Sequence, residues 1–112
     1  NIVKYNTDGE LLWEHHIFNV LVYDLYIEQL LIDDDNNIYI IGTRIISIEP
    51  GYGITYVQGE PLIQKISPEG ELLWEYTDQY EVGTDGINAC NSATIDENGN
   101  LYVAGIHHEY LS

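Results

Sequence analysis

The sequence predicts an all-β protein built from a repeated unit, and three observations support this. The segment from Ile2 to Glu14 returns as the segment from Ile63 to Glu75. A second segment, from Ile32 to Gly42, returns from Ile95 to Gly105. The apolar residues are mostly Ile, Leu, Val and Tyr, which favour the pleated surface of a sheet. No stretch has the pattern of a helix, so strands are expected throughout.

The length of the repeat indicates the kind of sheet. Trp13 recurs as Trp74, 61 positions later, and Asp33 recurs as Asp96, 63 positions later, in a chain of 112 residues. A period of roughly 40 to 60 residues filled with short strands is typical of propeller blades rather than helical solenoids. The predicted fold is therefore a β-propeller segment, with blades of four antiparallel strands and about two blade equivalents in this chain.

Each repeat contains two predicted hairpins. Asn6 to Gly9 and Ser67 to Gly70 have the Asn, Asp, Pro and Gly residues of tight turns, and so do the acidic turns Asp33 to Asn37 and Asp96 to Asn100. The strand from Ile38 to Gly42 is apolar on both of its alternating faces, which is expected when a sheet lies between two neighbours. The flanking strands are expected at Ile2–Tyr5, Glu10–Glu14, Leu30–Ile32, Ile38–Gly42, Leu62–Ile66, Glu71–Tyr76, Thr94–Ile95 and Leu101–Gly105.

The pattern Lys-x-x-x-x-Gly-x-Leu-Leu-Trp, followed by Ile-Asp-x-x-x-Asn-x-Tyr-x-x-Gly, resembles the β-propeller repeats of bacterial and archaeal extracellular proteins. It is also similar to the tryptophan-bearing repeat of quinoprotein-like propellers. The resemblance implies that the Asp–Asn hairpin forms the inner strands of a blade and the Lys-to-Trp hairpin the outer strands. The chain then divides into an outer hairpin with its connection (1–25), a complete blade (26–76), and a connection with an inner hairpin (77–112). An extracellular or cell-surface location is implied in the same way.

Two blade equivalents are too few to close a propeller, which has 4 to 8 blades. The expected partners are therefore the remaining blades of a longer chain or other copies of this one. The first residue is Asn1 rather than Met, with no basic region and apolar run of a signal peptide after it, which suggests a fragment or a processed chain. The fragment interpretation is favoured, because an unpaired strand edge exposes a free chain to aggregation.

Composition excludes some classes of function. Three basic against 19 acidic residues give a formal net charge of −16, which disfavours binding to nucleic acids and to anionic membranes. The most apolar tract, Ile17 to Ile32, carries Asp24, Glu28 and Gln29, so membrane insertion is not expected. Cys90 is the only cysteine, which excludes an internal disulfide, and it is expected to be a small core residue.

The longest predicted loops, His15 to Asp24, Arg44 to Pro61 and Thr77 to Asn91, should lie at one face of the blades, opposite the short turns. Their aromatic and acidic side chains suit a sugar, a peptide or a cation, so a protein or glycan ligand is expected here. The candidate ligand-binding residues are Tyr23, Asp24, Glu49, Tyr52, Tyr56, Asp78, Tyr80, Glu81 and Asp85.

Calcium is the one cofactor that the sequence suggests, because oxygen-bearing side chains alternate in the two acidic turns. The candidate metal ligands are Asp33, Asp35, Asp96, Asn98 and Asn100. Neither turn has the bidentate Glu of a calcium loop, so hydrogen-bonded β-turns are the alternative. The pairs His15–His16 and His107–His108 lie near strand ends, where strand alternation should separate the two rings of each pair. No residue is predicted to be catalytic, since the sequence lacks a Ser-His-Asp spacing, a phosphate-binding Gly loop and a metalloprotease motif.

The leading functional prediction is a non-catalytic β-propeller module that binds or supports other molecules in a secreted or cell-surface protein. One alternative is part of a propeller enzyme, a quinoprotein-like oxidoreductase or a glycan-active enzyme, with catalytic residues in other blades. Another is a self-assembling subunit that builds a ring or filament by strand exchange.

Overall fold

The computed structural model describes residues 1–17, 24–50, 55–76 and 89–106, which form eight strands and no helix. The strands are β1 (Ile2–Tyr5), β2 (Leu11–His15), β3 (Asp24–Ile32), β4 (Ile38–Pro50), β5 (Thr55–Ile66), β6 (Leu72–Glu75), β7 (Ala89–Ile95) and β8 (Leu101–Ile106). Every strand pairing is antiparallel. The all-β prediction is confirmed for the described part of the chain. That part contains no helix of the length and apolarity needed to cross a membrane.

The strands form three sheets. The central sheet has the order β3-β4-β5-β6, so each strand lies beside its neighbour in sequence. β1 pairs with β2, and β7 pairs with β8, in two separate two-stranded sheets. By sequence, the β1–β2 hairpin is equivalent to β5–β6, and the β7–β8 hairpin is equivalent to β3–β4. Each flanking hairpin therefore corresponds to one half of the central sheet.

The sequence repeats coincide in structure down to their irregularities. The pairing of β1 with β2 skips Leu12, and the pairing of β5 with β6 skips Leu73, the equivalent residue. The pairing of β3 with β4 skips Glu28, and that of β7 with β8 skips the equivalent Asn91. A bulge adds one residue to one strand and increases the local twist. The two copies of each hairpin are thus bent at matching places.

The predicted tight turns are present and also match between copies. The Gly9 amide donates to the Asn6 carbonyl at 3.1 Å, and the Gly70 amide donates to the Ser67 carbonyl at 3.0 Å. Gly9 and Gly70 have φ angles of 83° and 90°. Glycine takes this left-handed conformation without the steric cost that a Cβ adds. Both turns therefore depend on glycine at the same position.

The loop predicted from Arg44 to Pro61 is largely wrong, because β4 runs to Pro50 and β5 starts at Thr55. The register pairs Thr43 with Pro61 and Pro50 with Thr55. Pro61 is tolerated because β6 pairs with β5 only from Gln64 to Ile66, so β5 is locally an edge strand at the proline. The alternating β-formers after Arg44 were the signal for this extension.

The core lies on both faces of β4. Ile40 packs with Leu62, Ile66 and Ile2 of β1, so the β1–β2 hairpin covers one face of the central sheet. On the other face, the Cys90 amide donates to Thr43 Oγ1 at 3.1 Å, which brings β7 against β4. Successive side chains of a strand point to opposite faces, so the hairpins lie on opposite sides of the central sheet. The predicted burial of both faces of β4 is confirmed.

Candidate functional site

The first acidic turn is organised by the carboxylate of Asp33. Its Oδ1 accepts the backbone amides of Asp35 at 3.0 Å and of Asn37 at 2.9 Å. Its Oδ2 accepts the Asn37 side-chain amide at 3.2 Å and the Tyr39 hydroxyl at 3.1 Å. One carboxylate thus joins the turn to Tyr39, the second residue of β4.

The second acidic turn repeats this network around Asp96. Its Oδ1 accepts the amides of Asn98 at 2.9 Å and Asn100 at 2.8 Å. Its Oδ2 accepts the Asn100 side chain at 2.9 Å and the Tyr102 hydroxyl at 3.1 Å. The Asp-x-x-x-Asn-x-Tyr pattern of the repeat therefore encodes a turn capped by its own side chains.

These hydrogen bonds set the pKa values of the two carboxyl groups. At Asp33, desolvation raises the pKa, but the hydrogen bonds from Asn37, Tyr39 and Asp35 outweigh it and leave the pKa below its ordinary value of 3.8. At Asp96, the hydrogen bonds from Asn100 are the main cause of a lowered pKa. The partner also responds, because the hydrogen bond to Asp96 raises the pKa of the Tyr102 hydroxyl.

The structure brings the two acidic turns to opposite sides of one cleft of about 310 Å³. Four of the five candidate metal ligands line it, namely Asp33, Asp35, Asp96 and Asn98, whereas Asn100 does not. Among the described residues, no three His, Cys, Asp or Glu side chains are grouped as metal ligands. A carboxylate has about four lone-pair sites, and Asp33 and Asp96 each already accept four hydrogen bonds. Calcium binding at these turns stays a prediction, and the geometry favours the hydrogen-bonded turns.

The lowered pKa values predict an acid-dependent loss of stability. Because Asp33 and Asp96 have lower pKa values folded than unfolded, their stabilisation is present above the ordinary pKa and is lost as pH falls through the folded-state pKa. We expect Asp33→Asn and Asp96→Asn to lower the melting temperature at pH 7, with a smaller difference from wild type near pH 3. Asp34→Asn, at an exposed position of the same turn, is the control. A pH-independent deficit in both variants would contradict this linkage.

The candidate ligand residues are only partly within the described chain. Asp24 begins β3, is exposed, and accepts the Leu25 amide at 2.9 Å. Its carboxylate also accepts a hydrogen bond from the Tyr26 hydroxyl, and this hydrogen bond raises the pKa of Tyr26. Glu49 and Tyr56 lie opposite each other in β4 and β5, with side chains outside the description. Tyr23, Tyr52, Asp78, Tyr80, Glu81 and Asp85 lie outside the described residues.

The described histidines do not form a common site. His15 Nε2 lies 3.0 Å from Gln64 Oε1, in the contact between the β1–β2 hairpin and the central sheet. His16 Nε2 lies 3.9 Å from Glu14 Oε1, at the surface. His107 and His108 lie outside the described residues. Adjacent positions thus give the two rings different partners, as expected from the alternation of side chains along a strand.

A buried charge cluster around Arg44 was missed by sequence reasoning. Arg44 is 5% exposed, and its guanidinium contacts Glu75 closely and Glu60 at 3.5 Å. The register places Glu60 directly opposite Arg44, and Glu75 opposite Gln64. The cluster therefore lies on the same sheet face as the Gln64–His15 contact. An arginine within a run of β-formers, in a chain with three basic residues, was the available signal.

Comparison with known proteins adds nothing to these observations: no protein-family model, curated protein or solved structure matches the chain. The resemblance to propeller repeats therefore stays a prediction.

Proposed function

We propose that this chain is a β-propeller segment that serves as a non-catalytic binding or structural module. The observation that supports it is the packing of the β1–β2 and β7–β8 hairpins against the two faces of the central four-stranded sheet. Each of these hairpins is equivalent in sequence to one half of that sheet. In a propeller, four-stranded sheets pack face to face around an axis. The matching bulges and turns fit this arrangement, because each blade must present the same surface to the next.

The contact between the first hairpin and the central sheet supports blade stacking most directly. Trp13 Nε1 donates to the Pro68 carbonyl at 2.9 Å, and Lys4 Nζ donates to the same oxygen at 3.2 Å. A Cβ on Gly70 would lie 2.7 Å from the Trp13 ring, so the indole lies directly over the turn. Lys4 and Trp13 of one repeat therefore hold the Ser67-to-Gly70 turn of the next repeat in place.

The polar contacts of the two acidic turns, Asp33 to Asn37 and Asp96 to Asn100, fit a structural role for the face that carries the short turns. The carboxylates of Asp33 and Asp96 serve their own turns, and Lys65 Nζ lies 4.0 Å from Asp33 Oδ2 and 5.3 Å from the centre of the Tyr39 ring. Ligand contacts are proposed for the face that the sequence predicts to carry the long connections, whose residues 18–23, 51–54 and 77–88 include most of the candidates. The proposed extracellular or cell-surface location rests on the sequence resemblance alone.

Quenching by acrylamide tests the stack. In a Trp74→Phe variant, Trp13 is the only tryptophan, and we expect it to be shielded because it lies against Pro68 and Gly70. In a Trp13→Phe variant at low protein concentration, Trp74 should be quenched efficiently, since it is 43% exposed. Equal quenching of the two indoles in folded protein would contradict the stacking and, with it, the proposed module.

An array of neutral oligosaccharides tests the binding role, because the net charge of −16 repels anionic glycans. We expect any glycan bound by the wild-type chain to be lost in Tyr80→Ala and Asp85→Ala but retained in Asp34→Ala, a change on the short-turn face. Retention in the first two variants with loss in the third would contradict the assignment of the binding face. An array without any bound glycan would contradict a neutral-glycan ligand.

A further inference from the structure

Apolar side chains are exposed where the two flanking hairpins leave the central sheet uncovered. Beside β1, a cleft of about 420 Å³ lies between that strand and strands β3 and β4. Its lining includes Tyr5, Leu30 and Ile32, and Ile32 is 67% exposed. At the other end, Trp74 is 43% exposed on β6. Exposed apolar side chains grouped in this way mark an interaction surface more often than a surface that stays in contact with water.

Among the described strands, each flanking hairpin is two-stranded and has no counterpart to the other two strands of the central sheet. β5 pairs with β4 on one side and β6 on the other, whereas its equivalent β1 pairs only with β2 among the described strands. β4 pairs with β3 and β5, whereas its equivalent β8 pairs only with β7 in the described part. The open edge of β1 is therefore the one that a β8 strand fits, and the reverse holds for β8.

The central sheet supplies the register for such a pairing. β4 pairs with β5 as Tyr39↔Lys65, Ile40↔Gln64 and Ile41↔Ile63. Shifting each strand to its repeat equivalent gives Tyr102↔Lys4, Val103↔Val3 and Ala104↔Ile2. A β7–β8 hairpin placed in this register would occupy the apolar cleft beside β1 and cover Leu30 and Ile32.

The tryptophan contact supplies a second, independent constraint. Trp13 lies over Pro68 and Gly70, and its equivalent Trp74 has no such turn beneath it among the described residues. The residues equivalent to Pro68 and Gly70 are Thr7 and Gly9. Within the described structure, nothing lies within 4 Å of a Cβ built on Gly9. The turn of a second β1–β2 hairpin therefore matches the exposed face of Trp74.

Resting on the proposed blade stacking, we propose that the ligand of these surfaces is a second copy of this chain, docked head to tail. Its β1–β2 hairpin pairs with β8 of the first copy and places Thr7 and Gly9 against Trp74. Such a contact uses two different surfaces, so it closes into a ring or continues as a filament. A ring of roughly two to four copies would match the 4 to 8 blades of propellers.

Charge predicts how the association responds to salt. Each copy carries a net charge of −16, so bringing copies together costs electrostatic free energy. Salt screens this repulsion, with a Debye length of about 10 Å at 0.1 M. The apolar contacts at Ile32 and Trp74 are little affected by such screening. Association should therefore strengthen as the salt concentration rises.

Light scattering and Trp74 quenching, measured over the same concentration series, test the docking. In the Trp13→Phe variant, we expect quenching of Trp74 to fall as the molar mass rises. Gly9→Ala should weaken association about tenfold or more, because its methyl group would meet Trp74 of the other copy. A chain that stays monomeric at all concentrations, or association that Gly9→Ala leaves unchanged, overturns the proposal.

Cross-linking tests the register itself. In a Cys90→Ala background, Val3→Cys with Val103→Cys should give disulfide-linked dimers and higher species on oxidation, because the two positions face each other. Val3→Cys with Leu101→Cys, two residues out of register, is the matched control. Equal cross-linking in both overturns the register. The two proposals fail differently: a folded monomer with shielded Trp13 overturns docking alone, whereas an unshielded Trp13 contradicts the blade stacking.

Discussion

Gly70→Ala is expected to destabilise the chain by roughly 2–4 kcal/mol, combining the cost of a left-handed non-glycine residue with that of overpacking. Gly70 has a φ angle of 90°, and an added Cβ would lie 2.7 Å from Trp13 Cδ2. Moving the indole away would break its hydrogen bond to the Pro68 carbonyl. The substitution thus strains the turn and loosens the first hairpin from the central sheet.

Gly9→Ala is a closely matched control for this effect. Gly9 has a φ angle of 83° at the equivalent position of the other copy, but a Cβ there meets no atom of the described chain within 4 Å. Urea unfolding at a concentration where the chain is monomeric would give both changes in free energy. We expect Gly70→Ala to cost at least about 1 kcal/mol more than Gly9→Ala, with a red-shifted Trp13 emission. Equal costs would mean that the Trp13 contact contributes little.

Arg44→Met is expected to cost about 2–4 kcal/mol, since removing one partner of a buried ion pair leaves the other charges uncompensated. The Arg44 side chain is 6% exposed, and the side chains of Glu60 and Glu75 are 25% and 27% exposed. Methionine keeps most of the apolar length of arginine, so packing changes little. The loss should therefore come from the two glutamates that contact Arg44, which are left without their cation.

A rescue experiment separates charge from packing at this site. We expect Glu60→Gln and Glu75→Gln, added to Arg44→Met, to restore most of the lost free energy of unfolding. Lys65→Met is the control, because Lys65 Nζ lies 4.0 Å from Asp33 Oδ2 and this carboxylate keeps its four hydrogen bonds when the lysine is removed. An Arg44→Met cost no larger than that of Lys65→Met, or no rescue, would refute the buried-charge explanation.

Local patterns predicted the hairpins because their information lies within a few residues. The turn at Asn6 to Gly9 needs only a capping side chain and a glycine, and both are adjacent in sequence. The sequence predicts the acidic turn from Asp33 to Asn37. It does not predict the contact with Tyr39, because the Tyr39 hydroxyl returns from β4 to the Asp33 carboxylate. Repetition then gave the equivalent features of the second copy.

Features that depend on pairing between strands far apart in the sequence could not be predicted from the sequence. The sequence predicts a loop from Arg44 to Pro61, but tolerance of Pro61 within a strand depends on how far β6 extends along β5. The Arg44 cluster combines residues from three strands through their register. The cleft between the acidic turns, likewise, requires β7 to pack against β4. None of these arrangements follows from residue type and spacing alone.

The extension of β4 and β5 beyond their neighbours identifies where the length of this chain can change. β3 pairs with β4 no further than Ile45, and β6 pairs with β5 only from Gln64 onward, whereas β4 and β5 continue together to Pro50 and Thr55. Because side chains alternate with a period of two, two residues added to or removed from each strand of this ribbon would leave every other register intact. Insertions that would disrupt the central sheet at other positions can be accommodated in the part of the β4–β5 ribbon beyond Ile45.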